Sequence, residues 1–367
     1  MNYNDDFRPN LAIIYGPLLH YRLALFNVIG RKYNLTVFTP EFYGDESLLT
    51  FKVCVIKSLQ FGPFIFQPKL RNQLKHGKFD ACISFFDVCH LDALFAVFFP
   101  VIPRMFCWGI WLTSSVIANR IRLAGVKRCE AALFYCQKHL EELALRGCDI
   151  NKLYVAPNTV FVPKDNNKLL LPVQRDSFLF VGTLGARKGL DRLVRLFASA
   201  LPMFNREIRL ILVGDGNEHF RLLSLVNELG ISSYVEMPGK IIDGHILATY
   251  YSRAIVSVSL SQAGLSVLQS MGYGVPFMTL KGSLSGGETT NIVDGNNGFL
   301  VPDDDNEIIS CFRYIVDNPD MLRAMSDAAQ AHYDSYATIQ NYAQGFFDML
   351  ERSRMTKIWR GIDSMKS

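Results

Sequence analysis

Two basic side chains beside a glycine-rich turn are the clearest candidates for chemistry in this sequence. Arg187 and Lys188 lie in the segment 182–189 (GTLGARKG), between an apolar run at 177–181 and a helical pattern that begins at Leu190. Backbone N–H groups at a helix N-terminus, joined by an arginine and a lysine, form an anion site. A diphosphate fits such a site, because the two cations neutralise the charge that develops on a leaving group. An ordinary strand-to-helix turn with two solvated cations accounts for the segment about as well.

The segment 261–301 contains a second candidate site. An apolar run at 254–260 leads through a small-residue turn into a short helical pattern at 265–271. The next apolar run, 275–280, leads into a loop with three glycines. The turn and the loop both follow predicted strands, and open parallel sheets bind ligands at the carboxyl ends of their strands. The sequence therefore predicts a ligand pocket here.

Two more glycine turns follow predicted strands of the same half. Gly214 begins the turn at 214–216 (GDG), and Gly239 with Lys240 belongs to a Pro-Gly-Lys turn. Close approach of the backbone to a nucleotide is the functional interpretation, with the second turn as a wall of the base pocket. Turn chemistry alone explains these glycines equally well.

Acidic and histidine residues give no metal signature. The carboxylates at 303–305 directly precede a helical pattern, which predicts helix capping rather than a site for a hard cation. The seven histidines show no metal-ligand spacing. His20 follows the first predicted strand and could orient a substrate hydroxyl, although a surface-loop role is the simpler interpretation.

Buried-strand runs alternate with helical patterns twice along the 367 residues, which predicts an α/β protein with two Rossmann-like domains facing across a cleft. We expect an N-terminal domain over 1–162 and a C-terminal domain over 177–335. The polar segment 163–176, with two prolines, is the expected linker. The helical tail 336–367 completes the chain.

Composition excludes several classes of protein. Apolar residues make up 49% and charged residues 20%, and the net charge of +4 gives no argument for nucleic-acid binding. The N-terminus lacks a signal-peptide pattern and no apolar run is long enough to span a membrane, so we expect a cytoplasmic protein. Basic stretches at 69–78 and 115–128 could contact an anionic membrane peripherally, or simply form solvated faces.

The order and spacing of several strings resemble the retaining nucleotide-sugar glycosyltransferases of family 4, which have the GT-B fold. The resemblance covers nearly the whole chain, is specific in the second half and looser in the first, where it favours the branch that builds capsules and lipopolysaccharide O-antigens. The strings that carry it are FVGTLGARKGLDRLV, LILVGDGNEHFRLLSLVNELGI, VEMPGKI, SQAGLSVLQSMGYGVP, DGNNGFLV, YRLALFNVIGRKYNLTVF, CWG, FYCQKHLEEL and VAPN.

The resemblance implies roles for individual residues. Lys188, helped by Arg187, would stabilise the donor diphosphate, and the tail helix would cross back to the first domain. Positions implied for donor binding are Gly16, Thr183, Gly214, Gly239, Lys240, Ser261, Gly264, Leu265, Ser266 and Gln269. Positions implied for acceptor binding are His20, Arg22 and Trp108.

Two departures from the family pattern concern the donor pocket. The family carries two glutamates eight positions apart where this chain has Ser261 and Gln269. Gln269 can still bond ribose hydroxyls, because an amide both donates and accepts. Thr183 stands where the family usually has a phosphate-binding arginine, and Arg187 could take over the role of that arginine. Glu288, beside two glycines, is the nearest carboxylate that could take a catalytic role.

The resemblance implies a metal-independent hexosyltransferase with no cofactor. It would move sugar from a UDP- or GDP-type donor to a growing, lipid-linked surface polysaccharide, working peripherally at the inner face of the cytoplasmic membrane. The missing glutamates leave two alternatives open: a catalytically impaired regulatory or binding subunit of the same fold, and a sugar-nucleotide epimerase.

Overall fold

The computed structural model of the chain describes residues 8–109, 112–164 and 174–363, and from residue 353 onward it describes the backbone alone. The chain divides into two compact units. The first unit consists of residues up to 157 and from 339 on, and the second consists of residues 158–338. Most of the expected linker, 165–173, lies outside the described residues.

The first unit is built on a seven-stranded sheet in which every pair of neighbours is parallel, with the order β3-β2-β1-β6-β7-β8-β9. A separate antiparallel hairpin is formed by β4 and β5. The strands are β1 (Asn10–Ile14), β2 (Asn34–Thr39), β3 (Lys52–Val55), β4 (Leu59–Phe61), β5 (Phe64–Phe66), β6 (Ala81–Phe85), β7 (Met105–Trp108), β8 (Ala131–Phe134) and β9 (Leu153–Val155).

Helices cover both faces of this sheet, which is why its strands read as unbroken apolar runs. Leu11 and Ile13 of β1 belong to a core shared with α1 and α12, whereas Ala12 and Ile14 belong to a core on the opposite face, because successive strand residues alternate. The helices of this unit are α1 (His20–Lys32), α2 (Leu70–His76), α3 (Leu91–Phe98), α4 (Val116–Arg128), α5 (Gln137–Leu145) and, numbered in chain order, α12 (Ile339–Asp363).

The second unit contains a six-stranded parallel sheet with the order β12-β11-β10-β13-β14-β15, the order of a Rossmann sheet. The chain passes from β10 to one side of the sheet and returns to add β13 on the other side. The strands are β10 (Ser177–Val181), β11 (Arg209–Val213), β12 (Val235–Gly239), β13 (Ala254–Val258), β14 (Phe277–Leu280) and β15 (Gly298–Val301).

Side-chain caps define where helices of the second unit begin. Asp304 accepts bonds from the backbone N–H groups of Asn306 and Glu307, and its neighbours Asp303 and Asp305 pair with Arg192, so the predicted capping role of this acidic cluster is confirmed. The helices are α6 (Leu190–Ala200), α7 (His219–Glu228), α8 (Gly244–Arg253), α9 (Ser266–Gly272), α10 (Asp305–Asp317) and α11 (Pro319–Tyr336).

The two-domain α/β fold with parallel sheets that the sequence predicts is confirmed. The sequence patterns do not predict six short strands and helices, namely β4, β5, α2, α3, β9 and β15. They are too short or too uniformly apolar to show a period of their own. Within the described residues, no helix combines the length and the hydropathy needed to cross a bilayer.

Candidate functional site

The candidate site of the second unit lies where its strand order reverses. The loops that follow β10 and β13 leave neighbouring strands at the same edge of the sheet, and the chain then continues to opposite sides. Such a switch point opens a crevice at the carboxyl ends of the strands. It brings together the two segments that the sequence singles out, 182–189 and 261–269.

Close backbone packing holds the first of these segments. The N–H of Gly182 donates to the carbonyl of Val213 over 3.0 Å. A Cβ on Gly214 would lie 1.8 Å from the carbonyl oxygen of Gly182, so only glycine permits this approach. The structure therefore explains Gly214 by packing, and its contact with a donor stays a prediction.

Lys188 is the cation that faces the second segment. Its Nζ donates to the carbonyl oxygen of Gln262 over 3.4 Å, and the side chain is half-buried, whereas Arg187 is exposed. Burial lowers the pKa of Lys188, the neighbouring Arg187 lowers it further, and Glu288 opposes both. A cation in this setting gains more from an incoming anion than a solvated one does.

Gly189, which joins this loop to α6, has a left-handed backbone with φ of 59°. A Cβ at this position would lie 2.5 Å from the hydroxyl of Ser261. Both the conformation and the close approach therefore require glycine. Ser261 itself is exposed at the start of the turn.

The turn after β13 is joined to the loop after β14. Leu284 donates its N–H to Ser261 and accepts from the N–H of Ala263, each over 3.0 Å. The half-buried turn residues Gly264, Leu265 and Ser266 follow. A Cβ on Gly264 would meet no atom within 4 Å, so the backbone here borders open space that a ligand can approach.

Gln269 projects from α9 beside a buried aromatic pair. The hydroxyl of Tyr251 donates to its Oε1 over 3.4 Å. Tyr251 is fully buried and stacks on Tyr273, whose hydroxyl donates to the carbonyl of Gly244 over 2.8 Å. A phenol that donates to an amide oxygen would donate equally to a carboxylate, so this environment also suits the glutamate that the family pattern carries.

Glu288 is 5% exposed and its carboxylate accepts three hydrogen bonds. Asn158 Nδ2 donates to Oε1 over 2.6 Å, and Ser285 Oγ and the N–H of Gly286 donate to Oε2 over 3.0 and 2.8 Å. Asn291 bonds the Glu288 carbonyl over 2.9 Å. The Glu288 carboxylate therefore stabilises its own loop by hydrogen bonds. Its negative charge also acts to raise the pKa of Lys188.

Three predicted donor-binding positions lie at or just after the carboxyl ends of β10 and β12. Thr183 and Lys240 are exposed, and Gly239, with φ of 86°, accepts the N–H of Gly214 over 2.9 Å. This bond places the Pro-Gly-Lys turn beside the turn after β11.

The first unit separates its four predicted residues. Gly16 and His20 flank the exposed loop after β1, and a Cβ on Gly16 would meet nothing within 4 Å. Arg22 is 4% exposed and Trp108 is completely buried. Aromatic packing places both side chains in the core, and their contact with an acceptor stays a prediction.

Sequence reasoning missed several partners of the site. The carbonyl of Gln262, the hydroxyl of Tyr251 and the amide of Asn158 are the groups that hold Lys188, Gln269 and Glu288. A single sequence does not show which backbone carbonyl will accept a hydrogen bond. It also does not show that Asn158 and Glu288, 130 residues apart, will pair.

Known proteins resemble this chain over part of its length. Residues 161–332, the part that holds Lys188 and Gln269, match the model of glycosyl transferases group 1. D-inositol 3-phosphate glycosyltransferase of Acidothermus cellulolyticus is 31% identical over 176 residues, which cover 43% of this chain and 38% of the relative. The GtfA subunit of a UDP-N-acetylglucosamine–peptide N-acetylglucosaminyltransferase from Streptococcus gordonii is 27% identical over 45% of this chain and 32% of its own length. The chain thus spans about a third of the curated relatives it matches.

Solved structures are similar over both units. Anabaena HepE in complex with UDP superposes with a TM-score of 0.72 at 16% identity, covering 94% of this chain and 100% of HepE. WaaG, a glycosyltransferase involved in lipopolysaccharide biosynthesis, gives 0.67 at 15% identity, covering 91% and 98%. These similarities show the GT-B fold.

Proposed function

We propose that the chain is a retaining hexosyltransferase that moves a sugar from a nucleotide diphosphate to a growing, lipid-linked surface polysaccharide. The observation that carries the proposal is the position of Lys188. It is a half-buried cation at the switch point of a Rossmann sheet, bonded to the turn of the neighbouring strand, inside the segment that matches glycosyl transferases group 1.

The diphosphate of the donor would bind against Lys188 and Arg187. As the bond between the sugar carbon and the phosphate oxygen breaks, negative charge grows on the departing diphosphate, and two fixed cations stabilise that charge more in the transition state than in the ground state. Charge stabilisation of this kind needs no metal, so we propose a metal-independent reaction without a cofactor.

Retention of configuration would follow from a front-face reaction. The acceptor hydroxyl attacks the sugar carbon from the side that the diphosphate leaves, and the leaving phosphate oxygen takes the hydroxyl proton. No separate base is then required, which agrees with the serine at position 261. Glu288 would support Lys188 electrostatically, and Gln269 would bond hydroxyls of the ribose.

The base of the donor and the nature of the acceptor are the finer parts of the proposal. UDP bound to HepE favours a uridine donor over a guanosine donor. The part played by WaaG in lipopolysaccharide biosynthesis favours a lipid-linked glycan, and the exposed basic side chains of α2 and α4 favour peripheral contact with an anionic membrane. We place the reaction at the cytoplasmic face.

A thermal-shift screen of UDP-, GDP-, CDP- and dTDP-sugars tests donor binding, because a ligand that binds the folded state raises the melting temperature. We expect one nucleotide class to raise it and to release diphosphate when an acceptor extract is added. No shift with any nucleotide sugar would contradict the proposal.

Replacement of both family glutamates specifically favours one other function, that of a non-catalytic subunit. A protein that binds nucleotide but releases no diphosphate with any acceptor would identify that function. A sugar-nucleotide epimerase would instead convert the donor without an acceptor.

A further inference from the structure

The first unit contains an open groove of about 490 Å³ between α2 and α3. Leu70 and Leu74 of α2 lie in its buried part, and Phe66, Phe95 and Phe99 form its walls. Its volume is within the range of small-molecule sites. It involves none of the residues assigned to donor binding.

The groove leaves large apolar side chains in solvent. Phe95 is 48% exposed and Phe99 is 60% exposed, with ring centroids 6.2 Å apart. Leaving neighbouring aromatic rings uncovered forfeits their hydrophobic stabilisation, and contiguous exposed apolar surface marks a binding site. Its lining is mostly hydrocarbon, so the ligand that fits it is hydrocarbon as well.

One cation, Arg71, belongs to the lining of the groove, and the surrounding segment is basic. Residues 57–78 contain five lysines and arginines and no aspartate or glutamate. Arg71 is exposed, and so are Lys69 and Lys75, which lie near it in the sequence but outside the lining. The lining also contains an acidic residue, Asp92, which is buried and accepts the N–H of Gln67.

Arg71 is fixed at the mouth of the groove. Its Nη1 donates to the carbonyl of Phe99 over 2.7 Å, which ties the guanidinium to the aromatic wall. In the described part of the chain this is the hydrogen bond that Arg71 makes, and a guanidinium has five N–H donors. The remaining donors match the oxygen atoms of a phosphate.

We propose that the groove binds the hydrocarbon chain of an anionic amphiphile, with its phosphate against Arg71. This inference rests on the proposed function, since that amphiphile is the lipid part of the acceptor. Charge complementarity and concave shape select this occupant. A flat bilayer surface would cover Phe95 and Phe99 but would leave the interior beside Leu70 and Leu74 unfilled.

Calorimetric titration with octyl, decyl and dodecyl phosphate, each below its micellar concentration and without nucleotide, tests the proposal. We expect affinity to rise about fourfold per added methylene until the groove is full. Inorganic phosphate alone should give no measurable binding. An affinity that does not change with chain length would overturn the proposal.

Variants locate the binding. Phe99→Ser should lower the affinity for decyl phosphate at least about fivefold. Arg71→Gln should lower the affinity for decyl phosphate but not the affinity for decanol. Phe220→Ser is the matched control, because this exposed phenylalanine of α7 belongs to the second unit. Unchanged melting temperatures would show that each variant is folded. Equal losses in all three variants would overturn the assignment to the groove.

Adsorption to a membrane surface predicts a different pattern. In that case, binding to anionic vesicles would require the exposed hairpin residues Phe61 and Phe64, and Phe99→Ser would have no effect. This result would show that the protein adsorbs to the surface and does not bind a hydrocarbon chain in the groove. The titrations involve no donor, so the two proposals fail separately. Amphiphile binding without diphosphate release contradicts only the proposed function, and turnover without amphiphile binding contradicts only this inference.

Discussion

Each sheet has a cation in the segment after its first strand, and the two cations have opposite surroundings. Arg22, in α1 after β1, is 4% exposed and donates to the hydroxyls of Tyr15 and Tyr342 over 3.0 and 3.2 Å, with its guanidinium 5.5 Å from the ring of Trp108. Lys188, after β10, is half-buried beside a single carbonyl.

The partners decide what each cation can do. Burial disfavours the charged form of Arg22, but Tyr342, Tyr15, Tyr135 and Tyr21 together outweigh it and raise the pKa of this arginine. At Lys188 burial and Arg187 both lower the pKa, and only Glu288 opposes them. Arg22 is thus satisfied within the protein, whereas Lys188 is set up to gain from an anion. Equivalent places in two similar sheets do not imply equivalent roles.

The largest effect is expected at Lys188. Lys188→Ala should lower diphosphate release at least about 100-fold, because it removes a charge that stabilises the leaving group. The melting temperature should not fall, since burial penalises this lysine. Lys281→Ala, an exposed lysine after β14, is the matched control and should retain full activity. Comparable activity in the two variants would refute the role of Lys188.

Arg22→Met should act on stability instead. Methionine fills similar space but cannot donate to Tyr15 and Tyr342, so we expect the first unit to lose about 2–3 kcal/mol of unfolding free energy. All three tryptophans lie outside residues 158–338, so tryptophan fluorescence during urea denaturation follows the first unit. Donor affinity should not change. A stable variant with a raised KM for the acceptor would instead support Arg22 as an acceptor-binding residue.

Glu288→Gln separates charge from loop structure. Glutamine removes the charge that supports Lys188 and presents an NH₂ group to Asn158 or its neighbours, and we expect activity to fall by about 10- to 30-fold. Ser285→Ala removes one hydrogen bond from the same carboxylate and the two that its hydroxyl accepts from the N–H groups of Gly287 and Thr289. It keeps the charge of Glu288, so activity should fall less. Full transfer activity in a folded Glu288→Gln protein would end the catalytic assignment.

Gln269 should contribute modestly to donor affinity. Gln269→Ala should lower the affinity for the donor about tenfold, because one or two hydrogen bonds are lost. Gln269→Glu should remain close to the natural protein, since the Tyr251 hydroxyl can donate to a carboxylate. Calorimetric titration of the nucleotide sugar measures both. A large loss with glutamate would show that the site requires the amide.

The smallest effect concerns pH. Only protonated Lys188 attracts the diphosphate, so donor affinity should be constant at low pH and fall as pH rises through the pKa of this lysine. Because that pKa is lowered, the fall should begin below the usual lysine value of about 10.4. Lys188→Arg should move the fall to higher pH. Identical pH profiles for the natural protein and Lys188→Arg would show that the charge of Lys188 does not contribute to donor binding.

Local pattern predicted the fold better than it predicted the site. Runs such as 177–181 are apolar because parallel strands are covered on both faces, and this burial can be read without the partners. Whether Arg22 and Trp108 can contact an acceptor depends on whether their side chains face the core or the solvent. Here Tyr15, Phe85 and Phe346 surround Trp108, a packing that no local spacing reveals.

The sequence alone determined the α/β class, the two successive units and the cationic turn 182–189, because each depends on residues close together in the chain. It also identified Ser261 and Gln269 as the departures from the family pattern. Tertiary structure decided the rest. It paired Asn158 with Glu288 across 130 residues, and it grouped residues 339–363 with the first unit. It also buried Arg22 and left Lys188 accessible. The reason is physical: periodicity records which face of an element is buried, whereas the partners of a buried group are set by packing between distant segments.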